Sequence, residues 1–488
     1  MTLARVPLFL AALFMFTACP DPSTSGTGGG SATGGGNSTG GGTATGGGQT
    51  GGGTTTGGGS ATGGGSATGG GGATGGGAAA GGTVTFAQPG FYEQSIASAP
   101  DGSLHLAYYD GAAERVNYAH CAGNCGAGAS WSQVLLRTTA DLGDLSVGVA
   151  GIKVDSTGRV HLIIDGVSTT STGQQIVYAT CAASCTTVAN WTFTDLSSIS
   201  RGSTPINTAS TVMVGPGGRV SFFTDGQVNG SPSRYYSCAA NCSSPSNWSS
   251  AAIINGNALH AVLDPQGVTH VVFDAGNTAA GDGLLYYARC ASNCGVVGNW
   301  QFSTNGFITT GTTKSLTGFT VTASGRVFLT YNQGTASVST ADNRKLFVAS
   351  CAGTTCTDLN TWSSFTVGAL DDGTDGAWVE AAGEGVVLAD TSSFDLHLRA
   401  CTGSCDNPAS WSAATVADSA ASIAQVIAPA TGSNCPTTST SASWWSHIPR
   451  VAISSNGVAV VHNPYAIVSC PATGVQRLPT IGRVVSSF

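Results

Sequence analysis

The stretch Cys238–Trp248, "CAANCSSPSNW", places two cysteines four positions apart and a tryptophan six positions after the second cysteine. Five further copies of this plan begin at Cys121, Cys181, Cys290, Cys351 and Cys401. Their first cysteines follow one another at intervals of 50 to 61 residues, which is the length of one supersecondary unit. The stretch is therefore one copy of a repeat, and its role is one that every repeat can share.

The cysteine pairs have three possible interpretations: a zinc site, a redox pair or a disulfide. Zinc needs four converging ligands and a thioredoxin-like redox motif is C-x-x-C, so the spacing here favours disulfides. The chain has 15 cysteines, and an even number remains once Cys19 is set aside. In an exported protein this predicts seven bridges, namely Cys121–Cys125, Cys181–Cys185, Cys238–Cys242, Cys290–Cys294, Cys351–Cys356, Cys401–Cys405 and Cys435–Cys470.

Short apolar runs separated by turn residues surround each cysteine pair. Two of them lead up to the pair; before Cys181–Cys185 they are "VHLIID" and "QIVYATC", the second of which ends at Cys181. One more lies upstream and another follows the tryptophan, and no segment shows sustained helical periodicity. The sequence therefore predicts an all-β domain of four-stranded antiparallel units, in which the bridge connects the third and fourth strands.

Four-stranded units at this period favour a β-propeller, whose radial closure protects the sheet edges. Residues 83–488 have room for seven repeats. The segment Ile448–Cys470 matches the first three strands of a last blade, and the isolated strand Thr83–Gln88 can close the ring as its outer strand. We predict a seven-bladed propeller, with six blades and an irregular tail as the alternative.

Residues 1–19 have the anatomy of a secretory signal. One positive charge at Arg5 precedes an apolar run from Val6 to Phe16, which is too short for a transmembrane helix. Through Thr17, Ala18 and Cys19 the segment resembles a bacterial lipoprotein signal. This resemblance implies that Cys19 is lipidated and attaches the protein to a membrane; ordinary cleavage after Ala18 is the alternative.

Residues 20–82 consist mainly of glycine, serine, threonine and alanine. Such a segment has too little apolar surface to offset the entropy of ordering the chain, so we predict a flexible tether. Together with the signal, this predicts a lipid-anchored protein of the bacterial cell envelope, at the outer membrane or the cell surface.

The repeat layout resembles exported bacterial propellers of the sialidase-like, or BNR, type and extracellular propeller lectins. The resemblance implies a glycan or protein ligand, or a glycoside hydrolase or lyase activity. A sialidase-like site would need three converging arginines with a tyrosine and a glutamate. Because Arg159, Arg219 and Arg326 occupy one repeated turn position after a glycine, we interpret them as blade structure and predict no catalytic residue.

Polar residues that do not repeat are better candidates for a ligand site. Those on the predicted inner strands are His260, Lys314, Trp378, Glu380 and Arg450. They are expected to line the mouth of a central channel, and the alternative is that they are scattered polar residues without a common role.

The repeated tryptophans allow two hypotheses. An indole face can stack on a sugar ring, or it can pack between blades beside the bridge. Packing is favoured, because large aromatic side chains dominate burial. The residues concerned are Trp131, Trp191, Trp248, Trp300, Trp362 and Trp411.

Two aspartates, Asp371 and Asp375 in "DDGTDG", resemble part of a calcium loop that lacks its distal glutamate. No other metal and no cofactor is predicted. Only 9% of residues are charged and the net charge is −8, so nucleic acid is not an expected partner. We predict a monomeric binding module for glycans or proteins, with an enzyme or a structural scaffold as alternatives.

Overall fold

In the computed structural model the chain divides into two units, Met1–Gly72 and Ala73–Phe488. Within the second unit the structure describes residues 82–86, 91–111, 113–142, 145–168, 174–197, 212–224, 232–274, 285–306, 314–333, 345–369, 376–392, 395–419, 421–423, 443–446, 449–470, 474–477 and 482–486. The predictions for Cys19, the tether and the calcium candidates Asp371 and Asp375 lie outside these residues. No helix in the described ranges is long and apolar enough to cross a membrane.

The strands of the first three blades follow one another along the chain. Ahead of them lies β1 (Gly82–Phe86). Blade 1 has β2 (Phe91–Ser98), β3 (Leu104–Asp110), β4 (Arg115–Cys121) and β5 (Trp131–Thr138). Blade 2 has β6 (Leu145–Val154), β7 (Val160–Ser168), β8 (Gln174–Cys181) and β9 (Trp191–Asp195). Blade 3 has β10 (Met213–Val214), β11 (Val220–Thr224), β12 (Ser233–Cys238) and β13 (Trp248–Ile254).

The next three blades have the same order. Blade 4 has β14 (Asn257–Leu263), β15 (Thr269–Asp274), β16 (Leu285–Cys290) and β17 (Trp300–Phe302). Blade 5 has β18 (Lys314–Val321), β19 (Arg326–Gln333), β20 (Lys345–Ala352) and β21 (Ser363–Ala369). Blade 6 has β22 (Ala377–Ala382), β23 (Gly385–Ser392), β24 (Asp395–Cys401) and β25 (Thr415–Asp418).

The remaining elements are short. The last strands are β26 (Ser443–Ser446), β27 (Arg450–Ser454), β28 (Gly457–His462), β29 (Pro464–Cys470), β30 (Gly474–Arg477) and β31 (Gly482–Ser486). Single turns of 3₁₀-helix are Gly128–Ser130, Ala140–Leu142, Val188–Asn190, Pro216–Gly218, Pro245–Asn247, Val297–Asn299, Leu359–Thr361 and Pro408–Ser410. All but two of these turns lead from a cysteine pair towards its tryptophan.

The blades form a closed ring. The first strand of each blade contacts the first strands of both neighbours, in the order β2, β6, β10, β14, β18, β22, β27 and back to β2. These strands therefore surround a central channel, and the predicted seven-bladed propeller of four-stranded antiparallel blades is confirmed. Close approach is visible at Gly318 of β18, where a Cβ would lie 2.6 Å from the backbone nitrogen of Val379 in blade 6.

The N-terminal strand completes the last blade. Blade 7 has the strand order β27, β28, β31, β1, and β1 pairs antiparallel with β31 so that Val84 lies opposite Val484. The predicted closure by an outer strand at Thr83–Gln88 is confirmed within Gly82–Phe86. The ring is thus held shut by backbone hydrogen bonds between the two ends of the folded domain.

The prediction for the third strand of this blade was wrong. β27 and β28 are the first two strands as expected, but the third is β31. β29, which ends at Cys470, lies in a separate three-stranded sheet with β26 and β30. Its run "PYAIVSC" has the apolar pattern of a third strand, and pattern alone does not reveal that a hairpin is inserted between β28 and β31.

A buried ion network connects the last two blades to the N-terminal strand. Arg483 of β31 donates from Nε to Asp418 Oδ2 at 2.5 Å and from Nη2 to Asp418 Oδ1 at 2.8 Å. It also donates to Thr85 of β1 at 3.2 Å and to Ser422 at 2.7 Å. His462 Nε2 lies 3.0 Å from Asp418 Oδ2. The network joins blade 6, blade 7 and β1 where the ring closes.

The bridges within the repeats are confirmed. Six cysteine pairs form disulfides, with Cα–Cα distances of 5.4 to 5.7 Å. The first cysteine is the last residue of a third strand, or in blade 5 the last but one, and the second cysteine lies in the following turn. Each bridge therefore fastens that turn rather than joining two strands directly. Cys435 lies outside the described residues, so Cys435–Cys470 remains a prediction that non-reducing peptide mapping can test.

Candidate functional site

The repeated tryptophans are part of the blade structure. Each donates from its indole Nε1 to the backbone oxygen of the second cysteine of its own repeat, at 2.7 to 2.9 Å. Trp131, Trp191, Trp248 and Trp300 are only 5 to 7% exposed, and Trp362 and Trp411 are half-buried. The indole N–H groups are thus already satisfied within the turn.

The indole rings also pack against the preceding blade. Trp248 of blade 3 meets Tyr178 of blade 2 edge to face, with ring centroids 5.1 Å apart. Trp131 of blade 1 makes the same kind of contact with Phe86 of β1, at 5.4 Å. The equivalent pairs are Tyr118–Trp191, Phe223–Trp300, Tyr287–Trp362 and Phe365–Trp411. Packing between blades is confirmed for these rings, and sugar stacking on them stays an untested hypothesis.

The repeated arginines do not converge. Arg219 donates to the backbone oxygen of Gly267 in the next blade at 3.0 Å. Arg326 lies 3.4 Å from Asp406, again in the next blade, while Arg159 is exposed in the turn before β7. Arg219 and Arg326 each connect neighbouring blades, and the three arginines lie at separate places around the ring, which agrees with their interpretation as blade structure.

A second repeated group fastens the turn between the first and second strands. In blade 2, His161 lies 2.7 Å from the Tyr178 hydroxyl through Nδ1 and 3.3 Å from Asp155 through Nε2. His270 makes the equivalent contacts in blade 4, with Tyr287 at 2.6 Å and Asp264 at 3.2 Å. Because the arrangement recurs and the histidines are buried, we assign it to blade structure.

Four of the five candidate channel residues do come together. The guanidinium carbon of Arg450 lies 4.0 Å from the ring centroid of Trp378, a cation–π contact. His260 meets the same indole edge to face at 5.1 Å. Since β14 and β22 belong to blades 4 and 6, which are not neighbours, the contact between His260 and Trp378 crosses the central channel.

Glu380 extends this cluster towards blade 2. Its Oε2 accepts the indole N–H of Trp378 at 3.2 Å, and its Oε1 lies 3.6 Å from Nζ of Lys153 on β6. Blades 2 and 6 are also not neighbours, so this ion pair spans the channel as well. Lys153 could not be predicted from the sequence, because its place at the end of an inner strand matters only once the ring is closed. We call Lys153, His260, Trp378, Glu380 and Arg450 the channel cluster.

The remaining candidate, Lys314, begins β18 on the inner wall, and its side chain lies outside the described residues. The position of His260 depends on a β-bulge, because the register of β14 shifts between Ala258 and His260. A bulge redirects the side chains that follow it, which explains how an inner-strand histidine reaches the channel.

Arg450 remains a cation in this environment. Burial lowers the pKa of Arg450 to about 10, and the negative charge of Glu380 acts in the opposite direction. Its Nη1 has no hydrogen-bond acceptor among the described residues. The channel cluster thus holds Lys153 and Arg450 against the single described carboxylate of Glu380.

A cavity of about 530 Å³ opens at the end of the channel where the inner strands of four blades finish. We call it the mouth pocket. It is lined by Ser98, Ala99 and Pro100 of blade 1, Val154, Asp155 and Ser156 of blade 2, Ala382 of blade 6, and Ile453, Ser454 and Ser455 of blade 7. Most of its polar groups are hydroxyls.

The one carboxylate of the mouth pocket is ionised at neutral pH. Burial acts to raise the pKa of Asp155, but hydrogen bonds from Thr157, from the backbone of Arg159 and from His161 outweigh it and lower the pKa. Ser98 donates to the backbone oxygen of Ile453 at 2.6 Å, which fastens blade 1 to blade 7 at the rim. The pocket is therefore a preformed depression lined by polar and apolar residues in equal number.

Neither a protein-family model nor a curated protein sequence matches the chain significantly. The polysaccharide lyase Uly1 is a similar solved structure, with a TM-score of 0.47 and 10% identity over 81% of this chain and 90% of that one. The Aleuria aurantia lectin in complex with Fucalpha1-6GlcNAc has a TM-score of 0.39 and 11% identity, over 68% of this chain and 98% of that one. The Penicillium chrysogenum alpha-L-arabinanase complexed with arabinobiose has a TM-score of 0.37 and 11% identity, over 82% of this chain and 97% of that one.

Proposed function

We propose that the protein is a binding module for glycans, attached to the bacterial cell envelope through a lipid on Cys19 and binding its ligand in the mouth pocket. The observation that supports this most is the mouth pocket itself, a depression of about 530 Å³ in which turns of four blades converge over the end of the channel. Ligand sites are concave and bring together polar groups from several elements.

The chemistry of the mouth pocket suits a hydroxyl-rich ligand. Ser156 and Ser455 are exposed on opposite rims, in blades 2 and 7, while Asp155 is bonded within the turn of blade 2. A hydroxyl both donates and accepts, so these serine side chains can bond to sugar hydroxyls. With one charge among its lining side chains, the pocket favours a neutral glycan.

The channel cluster below the mouth can take part in binding. The side chains of Lys153 and Glu380 are 42% and 23% exposed, and an ion pair in contact with water contributes only about 0–1 kcal/mol. A ligand hydroxyl can therefore replace one partner of the pair at small cost. Trp378, in contrast, is only 4% exposed and positions the cluster rather than offering a stacking surface.

The test begins with a glycan array on the full chain, followed by titration calorimetry with the best ligand. Ser156→Trp places an indole over the mouth pocket without removing a described hydrogen bond. We expect it to weaken binding at least tenfold, because the bulky ring occupies the space of the ligand.

Ala182→Trp is the matched control, since Ala182 is exposed in the disulfide turn of blade 2, outside the residues that line the mouth. It should bind as tightly as the parent. Equal binding by both variants would reject the mouth pocket, and no binding to any glycan would reject the proposed class of ligand. Turnover of a bound glycan that is lost in Glu380→Gln would instead show an enzyme.

A further inference from the structure

The guanidinium group of Arg450, at the start of β27, is incompletely paired. Its Nη1 is enclosed by protein and has no hydrogen-bond acceptor among the described residues. Its Cζ lies 4.0 Å from the ring centroid of Trp378. This contact offsets part of the positive charge, but the indole N–H is itself a donor and cannot accept from Arg450. In the part of the chain that the structure describes, the charge of Arg450 therefore lacks a hydrogen-bonded partner.

The carboxylate of the channel cluster is already bonded to other groups. Glu380 accepts the indole N–H of Trp378 through Oε2 at 3.2 Å, and its Oε1 lies 3.6 Å from Nζ of Lys153. Burial lowers the pKa of Arg450 to about 10, and the charge of Glu380 acts in the opposite direction. Arg450 is thus a cation at neutral pH, and one described carboxylate is shared by two cations.

Arg483 shows how the same protein pairs an arginine that it buries. The guanidinium group of Arg483 makes two hydrogen bonds to the carboxylate of Asp418 and further ones to Thr85 and Ser422. A buried charge without such partners is strongly destabilising. Because Arg450 has no equivalent bonds among the described residues, its charge needs another partner.

The blade architecture does not require an arginine at this position. The first strands of the other six blades contain no arginine within the bounds that the structure describes. Arg450 as a whole is only half-buried, so an ion in the channel can reach the residue although Nη1 is enclosed. These two observations favour a binding role for Arg450 over a purely structural one.

We infer that the channel cluster binds a small inorganic anion, such as chloride, at the guanidinium group of Arg450. A guanidinium forms strong charge-assisted hydrogen bonds with an anion. Together with Glu380, one bound negative charge balances the charges of Lys153 and Arg450. The indole of Trp378, which is 4% exposed, excludes water from one side of the cation and so strengthens the interaction. The ion is a different ligand from the glycan of the proposed function, and either can bind without the other.

The experiment titrates the full-length protein with sodium chloride while sodium gluconate, whose anion is bulky, keeps the ionic strength constant. Bound chloride should broaden the chlorine-35 NMR signal and raise the Tm, because a ligand that binds only the folded state stabilises it. Arg450→Gln should weaken binding at least tenfold and remove the rise in Tm. Arg159→Gln removes the same charge from an exposed turn and should bind within twofold of the parent.

Glu380→Gln tests the sign of the charge effect. It should tighten chloride binding several-fold, because it removes the negative charge that acts on Arg450. Crystals of the parent grown in bromide give a readout that does not depend on any variant, and anomalous scattering should place a bromide ion beside Arg450. The inference would be overturned by chloride that changes neither the signal nor the Tm, by an equal loss in Arg159→Gln, by weaker binding in Glu380→Gln, or by no bromide beside Arg450.

Discussion

Replacing Trp248 with alanine is expected to lower the free energy of unfolding by about 4 kcal/mol, within the range for removing a large buried aromatic side chain. Trp248 is 5% exposed and is wedged against Tyr178 of blade 2 and Phe222 of its own blade. The substitution removes these contacts and leaves a cavity between two blades. It also leaves the backbone oxygen of Cys242 without its indole donor, which lies 2.8 Å away.

Urea unfolding followed by circular dichroism measures this effect. Trp248→Phe is the control for the hydrogen bond, because it keeps an aromatic ring in place but removes the indole N–H. It should lower the free energy of unfolding by less than the alanine variant does, and about 1 kcal/mol of that decrease comes from the lost hydrogen bond. Trp411→Ala should also cost less, because Trp411 is half-buried. A loss below about 1 kcal/mol for Trp248→Ala would contradict the packing role assigned to the tryptophans.

Replacing Asp418 with alanine is expected to lower the free energy of unfolding by about 3–5 kcal/mol, because it leaves the Arg483 cation buried without its partner. The side chains of Arg483 and Asp418 are 2% and 1% exposed. Arg483 also bonds Thr85, so the N-terminal strand should loosen with the network. Faster hydrogen exchange in Gly82–Phe86 would report that loosening.

The exposed pair Arg326–Asp406 provides the matched control. Asp406→Ala removes a carboxylate that is 39% exposed and should change stability by less than about 1 kcal/mol. The double variant Asp418→Leu with Arg483→Met tests the cause, because apolar replacement of a buried pair removes the unpaired charge and should recover much of the loss. If Asp418→Ala were as mild as Asp406→Ala, the network would not hold the ring shut.

The same network gives stability a dependence on pH. Burial acts to raise the pKa of Asp418, but hydrogen bonds from His462 and Arg483 lower it from 3.8 to about 2. A lowered folded-state pKa contributes stability that is complete above the unfolded value and is lost as pH falls through the folded value. Acid titration of the parent should therefore lose about 2 kcal/mol between about pH 4 and pH 2. In Asp418→Asn this loss of stability at acid pH should be absent, because the side chain no longer titrates.

Most of the fold follows from the repeat, because each copy combines strand patterning, turn residues and a cysteine pair that agree with one another. Seven blades and closure by the N-terminal strand could be predicted for this reason. The third strand of blade 7 could not. Both "PYAIVSC" in β29 and "GRVVS" in β31 are short apolar runs, and only the pairing of β31 with β1 shows which one completes the blade.

The site was harder to predict, because its residues come together across the axis of the ring. His260, Trp378, Glu380 and Arg450 stood out as polar residues on inner strands that do not repeat. Lys153 gave no such signal, since it precedes a repeated turn and its contact with Glu380 connects two non-neighbouring blades.

An NMR titration tests the proposed function most directly. The isotopically labelled full chain is titrated with its best glycan from the array, and the amide and indole N–H signals are monitored. We predict shifts in the amide signals of Ser98, Ser156 and Ser455 at the mouth pocket. The indole signals of the six repeated tryptophans should stay in place, because their N–H groups are bonded to the second cysteines. Shifted indole signals with an unchanged mouth pocket would contradict the account.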